Sequence, residues 1–265
     1  MINKSNIWVV TDVDGTLMDH FYDLTPAKET IKLLQTLRIP VILCTSKTKS
    51  EVKIIRKDLN LKDPYIVENG GAIYGESPDG KEWEIILGES YNILENILNN
   101  LSENINFKLR PLNTLSDDEA TNLTGLKGVS LNLMRERYWS MPFLNPPETF
   151  DKDLKRLCEL YDVDIFRGNR MSHLLSKNSN KGIAINKLLD RSENLNVKII
   201  GLGDSPNDLP LLLNSNYKIV ISGIKGPNKI LINKLKGIEF CISEKPHGYG
   251  WKDEILKLTK KLLNI

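Results

Sequence analysis

Along the first third of the chain, short apolar β-branched runs alternate with segments whose apolar residues return at helical spacing. Ile7–Thr11 (IWVVT) has strand length and ends at Asp12, and Asp14-Gly15 marks a turn directly after it. Pro26–Leu37 carries Ile31, Leu34 and Leu37 on one helical face, with Thr25 as the expected cap and Pro26 in the first turn. Pro40–Cys44 reads as a second buried strand. Thr48-Lys-Ser-Glu51 is a capping box that opens a helix to about Leu59. Tyr65–Val67 is a third strand, followed by the loop Glu68-Asn-Gly-Gly71. Strand, helix, strand, helix, strand predicts a parallel sheet with crossover helices.

The pattern changes after residue 83. Tyr91–Leu101 and Asp151–Tyr161 have helical spacing, Val129–Met134 alternates as a strand, and Asp164–Arg167 is extended; the Pro-rich stretch 141–148 interrupts the middle. From Asn180 the first pattern returns. It gives a helix over Lys181–Leu189, a strand over Val197–Leu202, and a helix over Pro206–Leu213 with Ser205 as cap. A strand over Lys218–Ile221 and a C-terminal helix over Lys252–Leu263 follow. The expected fold is α/β: a Rossmann-like parallel-sheet core formed by residues 1–83 and 179–265, with an inserted α+β cap domain over 84–178.

Composition narrows the class. The chain has 265 residues, 40% hydrophobic and 26% charged, as in ordinary globular proteins. A net charge of +2 gives no argument for nucleic acid. No stretch approaches the ~20 apolar residues of a membrane span. The apolar run near the N-terminus, Ile7–Val10, is too short for a signal peptide. Cys44, Cys158 and Cys241 are widely spaced and form no metal or redox motif, which fits a reducing, cytoplasmic setting.

The candidate chemistry gathers at the expected strand ends, where open parallel sheets bind ligands. Asp12 and Asp14, Thr45 and Ser46, Asn69, and Asp204 and Asp208 all fall there. Two carboxylates one residue apart beyond a buried strand are costly unless a cation neutralises them. Magnesium fits, because it takes one or a few carboxylates together with water and phosphate oxygens.

This arrangement resembles the haloacid dehalogenase-like phosphatases. The resemblance rests on Asp12-Val-Asp14-Gly-Thr16, Thr45, Lys181 and Gly203-Asp204-Ser-Pro-Asn207-Asp208, in that order. It implies that Asp12 is the nucleophile and that Asp14 is the acid and then the base. It also implies that Thr45 and Lys181 hold the phosphoryl group. Mg2+ would be bound by Asp12, the main-chain carbonyl of Asp14, and Asp204, with Asp208 and Asn207 orienting its shell. An insertion between Thr45 and Lys181 marks, in this superfamily, a larger α/β cap that reads the leaving group.

Closer local similarity points to the mannosyl-3-phosphoglycerate phosphatases. It lies in Thr45-Ser-Lys-Thr48, Glu68-Asn-Gly-Gly71, Arg137-Tyr-Trp-Ser-Met-Pro142-Phe143, Arg167-Gly-Asn-Arg170-Met-Ser-His173 and Gly248-Tyr-Gly250-Trp251. The implied partner is a small phosphorylated sugar-glycerate. Arginine matches its carboxylate or phosphate bidentately. Arg137, Arg167 and Arg170 are therefore the cap candidates, Arg170 foremost, with His173 as a hydrogen-bonding partner. Ser46, Asn69 and Asn207 complete the expected substrate contacts. Met141 stands where the family pattern has Glu, so a glucosyl substrate competes with the mannosyl one. A broader sugar-phosphate or sucrose-phosphate phosphatase, a phosphotransferase, and a non-catalytic metabolite sensor are the rival readings; the last has no need of both Asp12 and Asp14.

Overall fold

A computed structural model describes residues 6–264, apart from 78, 169, 193 and 195. Asn169 of the Gly168–Arg170 segment and the first five residues of the chain therefore lie outside the described residues. Strand β1 (Ile7–Thr11) leads through α1 (Thr25–Thr36) to β2 (Val41–Leu43), and α2 (Lys49–Asp58) leads to β3 (Tyr65–Val67). Two antiparallel strands follow, β4 (Ala72–Glu76) and β5 (Glu82–Ile86). The inserted segment carries α3 (Tyr91–Asn104), α4 (Asp117–Thr124), α5 (Val129–Arg135), β6 (Met141–Leu144), α6 (Asp151–Tyr161), β7 (Val163–Arg167) and β8 (Met171–Ser176). The chain then returns through α7 (Lys181–Ser192), β9 (Lys198–Gly203), α8 (Leu209–Leu213), β10 (Tyr217–Ser222), α9 (Lys229–Lys234), β11 (Cys241–Pro246) and α10 (His247–Leu263).

Among the described residues, the central sheet is parallel with the order β11-β10-β9-β1-β2. A parallel bridge between Cys44 and Ile66 carries it on to β3. Alternate residues of β1 enter opposite cores, as a parallel sheet covered on both faces requires. Val9 packs with Ile31, Leu34, Val52, Trp251 and Ile255, whereas Trp8 and Val10 pack with Ile185, Leu188, Leu211 and Leu231. Helices α1, α2 and α10 thus cover one face, and α7, α8 and α9 the other. From β1 the chain winds outward through β2 in one direction, and from β9 through β10 in the other. The boundary between β1 and β9 is the topological switch point, where a crevice opens beyond the strand ends.

The inserted segment has its own antiparallel sheet, β6-β8-β7, covered by α3 and α6 around Leu94, Leu98, Phe143, Leu154 and Leu174. Strand β5 runs across residue 83, and Trp83, Ile85 and Leu87 pack on the core side.

Three local expectations are corrected. Val129–Met134 belongs to the helix α5, not to a strand: Leu131 is its buried residue, while Val129 is 74% exposed. The apolar alternation of six residues is too short to separate period 2 from period 3.6. Helix α1 includes Thr25, so Thr25 is not its cap; Leu24 holds that position without a side-chain bond. Helix α10 starts at His247, five residues before the expected Lys252.

Candidate active site

The ends of β1 and β9 bring Asp12 and Asp204 together across the switch point, and the turn after β9 adds Asp208. One carboxylate oxygen from each of these three lies within 4.8 Å of the others. Lys181, the first residue of α7, is wholly buried. Its Nζ donates to Asp12 Oδ1 and to Asp208 Oδ1, both at 2.6 Å. The other oxygen of Asp208 accepts the main-chain amides of Asp204 and Ser205, each at 3.0 Å. Asp208 is thereby committed to holding Lys181 and the turn. Asp204 Oδ1 accepts Thr16 Oγ1 at 3.1 Å. Gly15, at φ +82°, permits this approach: a Cβ there would lie 2.7 Å from Asp204 Oδ2.

Three carboxylates against one ammonium leave an excess of negative charge. Burial, followed by the charge of Asp208, pushes the Asp12 carboxyl from 3.8 up to about 7, although Lys181 pulls it back. Burial, Asp208 and Asp12 raise Asp204 well above the usual carboxylate range. Burial alone would lower the Lys181 ammonium, but Asp12 and Asp208 outweigh it and raise it. Hard oxygen donors with unmet negative charge suit a divalent cation such as Mg2+.

The remaining expected residues divide into three groups. Thr45 is fully buried, and its Oγ1 accepts the Lys47 amide at 3.2 Å. Asn69 is also buried; its Oδ1 accepts Asn207 Nδ2 at 3.0 Å, and its own Nδ2 has no partner among the described residues. Ser205 Oγ donates to Asn207 Oδ1, which fixes that amide from its other end.

A second group lines the cavity that opens above Asp12 between the core and the inserted segment. Asp14, Ser46, Asn207, Arg137, Arg170 and His173 all belong to it. Arg137 Nη1 donates to Ser46 O at 3.0 Å and to Ser140 Oγ at 3.1 Å, while its Nε has no partner among the described residues. Arg170 Nη1 donates to Thr124 O at 2.9 Å. Burial, then the charges of Arg137 and Lys181, lowers the His173 imidazole to about 3, so it stays neutral at physiological pH, and its Nδ1 has no partner among the described residues.

Arg167 forms the third case. It is not among the residues lining this cavity; its Nη2 donates to Pro146 O at 2.9 Å and to Asp151 at 2.8 Å. Met141 is also away from the cavity, buried in the core of the inserted segment beside Leu174. A glutamate at this position would lie in that apolar interior, so Met141 says nothing about which hexose is read.

Sequence reasoning missed two charged groups here. Lys47 is buried and lines the cavity; its Nζ lies 3.2 Å from Asp14 Oδ2 and 3.1 Å from Glu51 Oε1. Burial opposes its charge, and Asp14 and Glu51 together overcome that, so the ammonium is raised. Its i,i+4 spacing from Glu51 was the available signal. Glu68, also buried, accepts the amides of Tyr138 and Trp139 at 3.1 Å and Ser140 Oγ at 2.7 Å. This carboxylate ties the end of β3 to the inserted segment. No local spacing announces such a long-range partner set.

Comparison with known proteins agrees with this geometry. A family profile described as haloacid dehalogenase-like hydrolase matches residues 9–223. A glucosyl-3-phosphoglycerate/mannosyl-3-phosphoglycerate phosphatase from Persephonella marina is 31% identical over 271 aligned positions, spanning 96% of this chain and 97% of that protein. A solved Streptococcus mutans protein shares the fold with a TM-score of 0.73 at 17% identity, covering 95% of this chain and 98% of its own. The Synechocystis sucrose-phosphatase, solved with sucrose and phosphate, matches with a TM-score of 0.67 at 17% identity over 96% of this chain and 98% of its own. Among the described residues, no helix is long and apolar enough to cross a membrane. The carboxylates gathered at the switch point, the buried lysine that joins Asp12 to Asp208 and the matched profile lead to one assignment: the chain belongs to the haloacid dehalogenase-like hydrolases.

Proposed function

We propose that this protein is a magnesium-dependent phosphatase that converts mannosyl-3-phosphoglycerate or glucosyl-3-phosphoglycerate to the hexosylglycerate and inorganic phosphate. The observation that carries the reading is Asp12. It lines the cavity, receives Lys181 at 2.6 Å, and stands in the carboxylate cluster with Asp204 and Asp208.

In the proposed reaction an Asp12 carboxylate oxygen attacks phosphorus. A bond forms between that oxygen and phosphorus, and the bond from phosphorus to the leaving oxygen breaks. Asp14 gives its proton to the departing alkoxide. Asp14 then takes a proton from water as the water oxygen attacks the aspartyl-phosphate, releasing phosphate and restoring Asp12. Lys181 and the Thr45 hydroxyl stabilise the phosphoryl oxygens, with Lys181 kept in place by Asp208. Asp12, the Asp14 carbonyl and Asp204 would hold Mg2+, which supplies charge neutralisation at the transferring group. Asn69 and Asn207, joined at 3.0 Å, orient that edge of the site.

The segment expected over 84–178, taken here to begin after β5 at about residue 88, is the proposed cap, and Arg170 and His173 are its proposed leaving-group contacts. The guanidinium of Arg170 at the cavity supplies a cation suited to an anionic leaving group, with neutral His173 beside it as a hydrogen-bonding group. The 31% identical relative acts, by its name, on such a compound. The setting we propose is cytoplasmic. Phosphate release from matched mannosyl and glucosyl 3-phosphoglycerates, with sucrose phosphate as comparison, tests the reading. Faster release from sucrose phosphate would favour the broader sugar-phosphate phosphatase.

A further inference from the structure

The segment Gly248-Tyr-Gly250-Trp251 takes no part in the chemistry above, yet the first turns of α10 are packed on the loop that carries Asp12. Trp251 is fully buried and donates from Nε1 to Thr11 Oγ1 at 3.0 Å. That hydroxyl donates in turn to the main-chain oxygen of Asp12 at 2.7 Å. Four residues earlier, Nδ1 of His247 lies 2.8 Å from the main-chain oxygen of Gly15. A carbonyl only accepts, so this contact requires the ring proton on Nδ1. Positions four apart share one helix face. A single face of α10 therefore meets both flanks of the Asp12–Thr16 loop.

The approach is close and specific. A Cβ at Gly248 would lie 2.9 Å from Leu17 O, so a larger residue would push the helix off the loop. His247 is buried at φ +48°, in the left-handed region that residues with a Cβ seldom occupy. Such a conformation persists where its surroundings enforce it. Its ring also packs edge-on against cavity-lining His20, with centroids 5.0 Å apart. Thr16, the residue after the held carbonyl, is the one that donates to Asp204.

We propose that His247 is a positioning residue for the nucleophile loop. Its Nδ1–H fixes the peptide between Gly15 and Thr16, and so fixes Asp14 on one side and the Thr16 hydroxyl against Asp204 on the other. Trp251 secures the opposite flank through Thr11. This role rests on the phosphatase reading of Asp12.

The test uses the full chain, p-nitrophenyl phosphate hydrolysis and amide hydrogen exchange of the peptide covering residues 11–18. His247→Gly accepts the left-handed backbone but lacks the ring N–H. It should lower kcat about 10-fold with KM within about 2-fold, since a single hydrogen bond of this kind is lost. It should also speed exchange in the loop. His247→Asn offers an amide donor in place of Nδ1 and tolerates the same φ, so it should recover most of kcat and of the protection. Trp251→Phe removes the other donor and should speed exchange at the same peptide. Equal kcat losses in His247→Gly and His247→Asn would overturn the proposal, as would unchanged loop exchange in His247→Gly. Absence of hydrolysis by the unmodified chain would count against the phosphatase reading alone, because the exchange comparison would still decide whether His247 holds the loop.

Discussion

Lys181 Nζ donates to Asp12 Oδ1 at 2.6 Å from a side chain with no exposed surface. A buried ammonium is tolerated only because it is paired, and here it is paired twice, with Asp208 on its other side. Removing it leaves buried carboxylates without their counter-charge. Lys181→Ala should cost about 3–5 kcal/mol of stability in chelator at pH 8. At pH 5 the loss should be smaller, because Asp12 can then take a proton. Urea unfolding at the two pH values checks this, and equal losses at both would contradict it.

The raised Asp12 carboxyl makes a separate prediction for the metal-free protein. Its folded value of about 7 lies above the ordinary 3.8, so between these values the folded state binds a proton that the unfolded chain releases. Stability from this group is complete below the ordinary value and is lost as pH rises through the folded one. In chelator, the stability of the unmodified protein minus that of Asp12→Asn should therefore fall from about pH 4 to about pH 7 and then level off. Urea midpoints across this range measure the difference. Mg2+ added at pH 8 should raise the midpoint of the unmodified protein by mass action. A difference that rises with pH would count against the electrostatic account.

Asp204 and Asp208 differ in what they have left to offer a cation. Both oxygens of Asp208 are occupied, one by Lys181 and one by the two turn amides, whereas among the described residues Asp204 has only Thr16 on Oδ1. Asp204→Asn should thus raise the Mg2+ concentration for half-maximal activity by about 10-fold or more, through loss of a charged ligand. Asp208→Asn should instead chiefly lower stability, through Lys181 and the turn. Magnesium titrations of activity and thermal melts, run side by side, separate the two. Identical profiles would mean that the carboxylates are interchangeable.

The sequence disclosed the core of this molecule more fully than its inserted segment, for a physical reason. Buried parallel strands are near-continuous apolar runs, and their ends carry the polar groups. Asp12 and Asp204 could therefore be placed together before any coordinates, whereas Lys181, at a helix start, is reached only through the family resemblance. The inserted segment is half-exposed and built from short elements, where periodicity is weak; Val129–Arg135 shows the consequence. Charges that act at long range are harder still. Glu68 was legible only as part of a loop, because its partners at 138–140 lie about seventy residues away in the chain. Arg170 ranks above Arg167 in the sequence by segment similarity alone, with no physical distinction between them. Arg167 is on β7, where Asp151 at the start of α6 captures it, whereas Arg170 follows the strand and faces the cavity.

That difference supplies the last prediction. If Arg170 binds the carboxylate of the leaving group, Arg170→Ala should lower catalytic efficiency on hexosyl-3-phosphoglycerates by about 10- to 100-fold, the loss of one charge-assisted contact. Hydrolysis of an aryl phosphate, which has no carboxylate, should hardly change. Arg170→Lys should recover only part of the loss, because lysine keeps the charge but not the planar fork. Arg167→Ala serves as the matched control. Its partner Asp151 is more than half exposed, and such pairs contribute about 0–1 kcal/mol, so both substrates should be turned over almost normally. Arg170 also donates to Thr124 O, where Tyr22 of the core donates at 3.2 Å. Equal losses on both substrates would therefore mean that Arg170 acts by holding the inserted segment against the core, and not by reading the substrate. A specific loss in Arg167→Ala would move the anion contact away from the cavity mouth at Arg170. Measuring kcat/KM for the three variants on the two substrates distinguishes these outcomes.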